Sequence, residues 1–332
     1  MKKYNNKIIS KFLNFSLKQK INFFVSVIGL KKIIYFILFN FLSFFLNSNS
    51  PFINRVIFNI YKKKNDYLLK ENSKGEKFLL FSYDKAISQE VFSNNEFDLA
   101  KLYKVLEILK DDFKINNIFD IGANIGTICI PAIKRGLVQT AVAIEPEIEN
   151  FKLLKLNIAL NSLEKKISIY NTALSSSDDD KLILEKSRDN SGDHRIRTNK
   201  EDGIYNELER DTIAVHSKTF DSLFPKINPT HDLVWMDTQG FEAKILLGSK
   251  NLILSGAPIV IEFWPYGLKR TKSLGEMKKI MNNFKFYYDL SEDNPKKNII
   301  NNESINLLFD GWDDEKNSQS QHSLHTDILL LS

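Results

Sequence analysis

The stretch Ile118-Phe119-Asp120-Ile121-Gly122-Ala123-Asn124-Ile125-Gly126 constrains this chain more than any other. An apolar run and an acid lead into a turn punctuated by two glycines. The following run carries Ile128, Ile130, Ala132 and Ile133 and closes at Lys134, Arg135 and Gly136. That order predicts a buried strand, a tight turn and a helix over Thr127–Gly136. Gly122 lets the backbone turn through conformations closed to other residues, and Gly126 lets the helix start lie close to a ligand. Asn124 is the expected cap of that helix, whose free N–H groups and positive dipole end face the turn. A dinucleotide fold would place G-x-G-x-x-G here. The third glycine is missing, which argues against a nicotinamide dehydrogenase.

A second apolar run, Ala141 to Ile144, ends in Glu145, 19 residues past Gly126. Asp120-x-Gly122-x-Asn124-x-Gly126 resembles the first motif of class I S-adenosylmethionine methyltransferases. The resemblance implies a cofactor site made of Asp120, Gly122, Asn124, Gly126 and Glu145, with Glu145 as the carboxylate that takes the ribose hydroxyls. The cofactor it implies is S-adenosylmethionine.

From residue 118 onward strands and helices alternate. Strands are expected at Ile118–Ile121, Ala141–Ile144, Ile167–Asn171, Lys181–Glu185, Leu233–Met236, Ile259–Ile261 and Phe286–Tyr288. Ile305–Phe309 and Ile328–Leu331 are read as the remaining strands, and Phe78–Phe81 as one in the lead-in. Helices are expected at Phe97–Phe113, Glu147–Leu160, Phe241–Leu254 and Leu274–Phe284, and residues 187–211, which lack an apolar period, as a loop. The alternation predicts an α/β fold, Rossmann-like and doubly wound, with a mostly parallel seven-stranded sheet covered on both faces. Ligands bind such sheets at the carboxyl ends of the strands. Asp120, Glu145, Asp237 and Glu262 each end an apolar run there. Carboxylates gathered in one cleft suit a sulfonium cofactor, a hydroxyl that must lose a proton, or a divalent cation.

Residues 232–249 narrow the resemblance. A strand ending in Asp237-Thr-Gln239-Gly240-Phe-Glu242, then a helix with Leu246-Leu-Gly248, is similar to the FkbM-type methyltransferase family. Ile261-Glu262-Phe-Trp fits the family's next strand, and Asn190-Ser-Gly192-Asp193-His194-Arg195 resembles a motif of one of its branches. The likeness covers about residues 110–290, and position 239 holds Gln where many members hold Glu. It implies O-methylation, often of sugar or polyketide hydroxyls, and here of a small-molecule or glycan acceptor. Asp237 and His194 are the candidate bases, His194 lying in a polar loop able to close on substrate. Glu242 is the third candidate catalytic residue. No metal site is expected as the main reading, with Asp237 and Glu262 the candidate ligands if one exists.

Charge divides the chain unevenly. Residues 1–64 hold 12 Lys+Arg and no acid, leaving 34 Lys+Arg against 41 Asp+Glu in residues 65–332. The basic part is also the most apolar, with runs at Ile21–Leu30 and Ile33–Leu46, the latter short of the roughly 20 residues that span a bilayer. We therefore expect an N-terminal helical extension (1–64) that packs on the catalytic domain (65–332) or lies on an anionic membrane surface. The expected location is cytoplasmic, and on the membrane-surface reading peripheral on the inner face of the membrane. The acidic core disfavours a nucleic-acid partner, and no Asn/Asp-Pro-Pro-Tyr run is present. The single cysteine, Cys129, excludes an internal disulfide and reads as a buried apolar residue. The alternative to an enzyme is a cofactor-binding peripheral membrane or complex subunit that keeps this fold.

Overall fold

A computed structural model describes residues 50–61, 66–199, 201–312 and 325–332. The runs Ile21–Leu30 and Ile33–Leu46 lie outside the described residues. The chain divides after Ile57 into two units, 1–57 and 58–332. Among the described residues no helix is long and apolar enough to cross a membrane.

In chain order the strands are β1 (Tyr67–Glu71), β2 (Lys77–Phe81), β3 (Asn117–Ile121), β4 (Thr140–Ile144), β5 (Ile167–Tyr170), β6 (Ala173–Leu174), β7 (Lys181–Lys186), β8 (Arg195–Ile196), β9 (Asp211–Lys218), β10 (Asp232–Met236), β11 (Ile259–Phe263), β12 (Phe286–Asp289), β13 (Asn298–Ile299) and β14 (Thr326–Leu331). The helices are α1 (Pro51–Tyr61), α2 (Ile87–Asn94), α3 (Leu99–Leu109), α4 (Cys129–Lys134), α5 (Ile148–Leu160), α6 (Phe220–Leu223), α7 (Glu242–Leu247), α8 (Lys250–Ser255), α9 (Pro265–Arg270), α10 (Leu274–Met281) and α11 (Asn302–Gly311).

The main sheet runs β13-β12-β14-β11-β10-β3-β4-β5. From β11 to β5 the neighbours are parallel, while β14 is antiparallel to both β11 and β12. The main sheet thus has eight strands where seven are expected: the two-residue β13 is added at the edge, and the expected strand at Lys181–Glu185 is β7 of a second sheet. Chain order reverses direction between β3 and β10, so a crevice opens beyond their carboxyl ends. Buried parallel strands read as unbroken apolar runs because both faces are covered. In β10, Leu233, Val234 and Met236 are wholly buried, each contributing about 1.5–3 kcal/mol.

A second sheet, β6-β9-β7-β8, stands beside the first over a small cluster of Ala173, Leu184 and Val215. It corrects the reading of residues 187–211 as a loop. That stretch holds β8 and a turn of 3-10 helix, Glu207–Glu209, and ion pairs hold it in place together with scattered apolar contacts of Ile196 and Tyr205. The eight-residue β9 was not expected at all. Its inward residues Ile213, Val215 and Ser217 alternate correctly for a half-buried strand.

Two further expectations fail for local reasons. Ile305–Phe309 is not a strand but part of α11, where Asn301 and Ser304 cap each other reciprocally and Ile305, Leu308 and Phe309 face the core. The single helix over Phe241–Leu254 is two, α7 and α8. They part at Gly248, where a Cβ would stand 2.2 Å from the Ser175 carbonyl oxygen.

The hairpin β1–β2 packs on α5 through two side-chain amides. Asn157 accepts from the Leu79 amide (2.6 Å) and donates to the Leu79 carbonyl (3.2 Å). Asn161, just past the helix, does the same at Lys77 (3.0 and 2.7 Å). Asn157 also donates to the Ile125 carbonyl at 2.9 Å, which ties the hairpin to the glycine turn.

Candidate active site

The turn after β3 is built by close approach. Gly122 has φ +84°, and a Cβ there would lie 1.9 Å from the Asp237 carbonyl oxygen, so only glycine lets the ends of β3 and β10 meet. Gly126 has φ +93°, and a Cβ would meet Ile130 and Leu154 side chains at 2.7 and 3.0 Å. Helix packing, more than closeness to a ligand, demands that glycine. Asn124 does not cap α4, contrary to expectation. Its amide side chain donates to the Ser191 carbonyl (2.7 Å), and Asp120 Oδ2 accepts from the first amide of the helix, that of Cys129 (3.2 Å). Cys129 is fully buried.

These turns border a cleft with about 910 Å³ of empty space open to solvent. Asp98, Asp120, Glu145 and Asp237 line it, and no Lys or Arg among the described residues does. Ile121, Ile128, Ile144, Leu174 and Phe241 supply apolar walls. Glu145 is buried, with Oε2 accepting from the Asn124 amide (2.9 Å) and Oε1 from the Glu147 amide (2.8 Å). Burial pushes its carboxyl up to about 8 against the pull of those two donors. Burial likewise raises Asp120 to about 6.

Asp237 lines the same cleft from the end of β10. Its Oδ1 accepts from Gln239 Nε2 at 2.9 Å, and Oδ2 has no partner among the described residues. Burial, and then the charge of Asp327, raises it to about 6. The Gln239 amide also donates to Glu262 Oε1 at 2.9 Å, so one side chain bridges two acids. Glu262 does not line the cleft. Its Oε2 is buried without a partner among the described residues, and burial with Asp237 nearby raises its carboxyl well above the ordinary range. Among the described residues no three His, Cys, Asp or Glu converge as a metal site.

Glu242 lies outside the cleft as well. Its Oε1 accepts from the Thr238 amide (2.8 Å), the Thr238 hydroxyl (2.9 Å) and the Gly240 amide (3.3 Å). It braces the turn that carries Asp237 and Gln239, and it does not line the cleft.

His194 is in the cleft wall, but its segment is anchored. Ser191 donates to Asp84 Oδ2 (2.7 Å), and its carbonyl accepts from Asn124 and Asn150 (2.7 and 3.0 Å). His194 Nδ1 accepts from the Ser187 amide at 3.1 Å. An amide N–H only donates, so Nδ1 is the bare nitrogen and the neutral ring carries its proton on Nε2. That Nε2 is buried with no partner among the described residues. Burial lowers the imidazole to about 4, so the ring stays neutral near pH 7 and offers a donor, with no free lone pair on Nε2.

Sequence reading did not find Asp98, Asn150 or Lys101. Lys101 spans Asp98 (3.0 Å) and Asp327 (2.5 Å) at the cleft's rim. Burial opposes its charge, and Asp327 with Asp98 more than restores it. Asp327 sits opposite Glu262 in the β11–β14 register, a relation visible only once the two strands are paired.

A doubly wound sheet of this order, with an acid-lined cleft at its switch point, is the architecture of a class I methyltransferase. The chain belongs to the FkbM methyltransferase family, whose domain model matches residues 120–288, just over half its length. Its cofactor is S-adenosylmethionine. No curated protein matches the chain. Among solved structures it is similar to an FkbM methyltransferase from Methylobacillus flagellatus KT (11% identity, TM-score 0.39), over 74% of this chain and 55% of that one. It is also similar to TYW2 of M. jannaschii in complex with AdoMet (12%, 0.38, 80% and 86%). A third is the O-methyltransferase segment of StiE (12%, 0.36, 74% and 76%).

The residues fit that cofactor. Glu145 accepts one backbone amide at each oxygen, with the Asn150 side chain also reaching it, and so retains acceptor capacity for a ribose hydroxyl. Asn150 Oδ1 and His194 Nε2 are a buried acceptor and donor in the cleft wall with no protein partner among the described residues. Asp98 is paired with Lys101, but Asp120, Glu145 and Asp237 have no ion-pair partner among the described residues, which suits a positively charged sulfur.

Proposed function

We propose that the protein methylates a hydroxyl of a sugar or glycan, with Asp237 as the base. The observation that carries this reading is the free Oδ2 of Asp237 in a cleft of carboxylates. When bound, S-adenosylmethionine supplies a methyl carbon on a positively charged sulfur that leaves as a neutral thioether. Asp120, Asn124 and Glu145 would hold it at the turn ends, and alignment with the acceptor carries much of the rate. Asp237 accepts the hydroxyl proton at Oδ2 as the new carbon–oxygen bond forms. With its carboxyl raised to about 6, it is ionised at neutral pH yet more basic than an ordinary Asp. Gln239 fixes its orientation through Oδ1. His194 serves as a hydrogen-bond donor at Nε2, since basicity there would need the tautomer that forfeits the Ser187 contact.

The test is transfer of labelled methyl from the cofactor into the sugar-nucleotide and polysaccharide fractions of the source cell. Acid hydrolysis should release the label as a methyl ether of a monosaccharide. Label found only in RNA or protein would overturn the acceptor assignment.

A further inference from the structure

A second, smaller cavity of about 290 Å³ adjoins the cleft, and Ile196 and Gln239 line both. Their linings are oppositely charged. Arg195, Arg197 and Arg270 line the smaller cavity, with Glu185 as the one acid among the described residues. The surrounding acids are already engaged. Asp193 pairs with Arg195 and Arg210, and Glu185 with Arg197 at 3.0 Å. Glu207 accepts from the Tyr266 hydroxyl at 2.7 Å and stands 3.4 and 3.6 Å from Arg195 and Arg270. Four guanidinium groups therefore share three paired carboxylates, and Glu262 is a further acid whose field reaches Arg195.

Two of those groups have donors to spare. Arg197 uses Nε on Glu185 and Nη2 on the carbonyls of Glu207 and Arg210, leaving Nη1 without a partner among the described residues. Arg270 uses Nη1 on the Glu201 carbonyl and Nε toward Glu207, leaving Nη2 likewise. Planar guanidinium donors with spare N–H groups match the oxygens of a carboxylate or phosphate. The cavity is too small for a second cofactor and is of the scale of such a charged head group alone.

We infer that this cavity is an anion subsite, taking the carboxylate or phosphate of an acidic sugar whose hydroxyl stands at Asp237 across Gln239. The inference rests on the methyl-transfer reading of the cleft. A cationic donor and an anionic acceptor would then each meet opposite charge, on the two sides of one neutral side chain.

Trp264 lines the cavity, so binding is read by intrinsic fluorescence, with saturation-transfer NMR as a second readout. The full chain, saturated with S-adenosylhomocysteine, is titrated with glucuronate, glucose 1-phosphate and glucose. At least one charged sugar should bind about tenfold or more tightly than glucose, and the preference should shrink in high salt. Which of the two binds tells a carboxylate from a phosphate subsite. Arg270→Gln should weaken the charged sugar about tenfold while S-adenosylhomocysteine affinity is unchanged. Arg197→Gln is scored the same way should the first variant lose S-adenosylhomocysteine binding. Equal binding of glucose and both acids, no binding of either acid, or an intact preference in the folded variants would overturn the subsite. Failure of the wild type to bind S-adenosylhomocysteine would instead overturn the reading of the cleft.

Discussion

Replacing Gln239 with a glutamate (Gln239→Glu) tests whether an amide is needed between two buried acids. The side chain keeps its length and its φ of +57°, but both donors, each at 2.9 Å from Asp237 and Glu262, are lost. An ionised carboxylate at position 239 would stand about 3 Å from Asp237, a repulsion of about 6 kcal/mol at an effective dielectric near 20. Staying protonated costs about 1.4 kcal/mol per pH unit above the ordinary glutamate value, so about 5 kcal/mol at pH 8 and about 1 at pH 5. The folded variant takes the protonated route, which still leaves one donor. Its destabilisation relative to wild type should therefore grow by about 2–4 kcal/mol between pH 5 and pH 8. Urea unfolding of both proteins at the two pH values measures this, with a chelator present because a third carboxylate can recruit a divalent ion. A destabilisation equal at both pH values would refute the account of Gln239 as a bridge between acids.

Four other outcomes are expected. Glu145→Ala should weaken cofactor binding by about 1–3 kcal/mol in calorimetry, and wild-type affinity should rise as pH approaches 8 while the variant's stays flat, because a ribose prefers the ionised carboxyl. Asp237→Asn should keep cofactor binding and lose turnover, and wild-type kcat/KM should climb through an apparent value near 6; a wild-type rate in the variant would remove the base. For the ligand-free protein, Asp120, Glu145 and Asp237 have folded values above the unfolded ones near 4, so their contribution is present below pH 4 and is lost through pH 6 to 8. His194, lowered to about 4, works in the other direction below pH 6.5, so Tm measured by calorimetry should fall from pH 6.5 to pH 8.5. Finally, the basic residues 1–64 should sediment the full chain with anionic vesicles at low salt and release it at high salt, whereas a chain starting near residue 65 stays in solution and binds the methyl donor; vesicle binding that persists without residues 1–64 would refute their role.

Asp120, Glu145 and Asp237 were legible because each ends a buried apolar run in a strand–helix alternation, and parallel sheets gather such ends at one edge. Glu242 and Glu262 lie close to the same strand ends yet sit behind the cleft. Which way an acid turns depends on the neighbouring turn, and no local pattern encodes that. The bridging role of Gln239 requires β10 and β11 to be side by side, and the link from Lys101 to Asp327 joins distant parts of the chain. Residues 187–211 read as a loop because Arg195, Arg197 and Arg210 hold them by charge, leaving no apolar period. The run Ile305–Phe309 was too short for its period to separate helix from strand, although the Asn301–Ser304 cap pair was present to decide it.

The amides of Asn157 and Asn161 do for β2 what a third strand would, filling alternate backbone positions along one side of the hairpin. Exposed strand edges are templates on which other chains assemble. Here the β2 side is sealed by a helix that cannot itself be extended, so self-association through that side requires α5 to peel away first. The hairpin's other side, at β1, presents Tyr67 and Leu69 to solvent with the exposed Glu71 on the same face, while Lys70 turns to the opposite face over the Phe92 ring. Solubility of the hairpin in concentrated solution thus hangs on two asparagines and on the charge of Glu71, and ageing that converts either asparagine to an acid would remove a donor and unseal the edge.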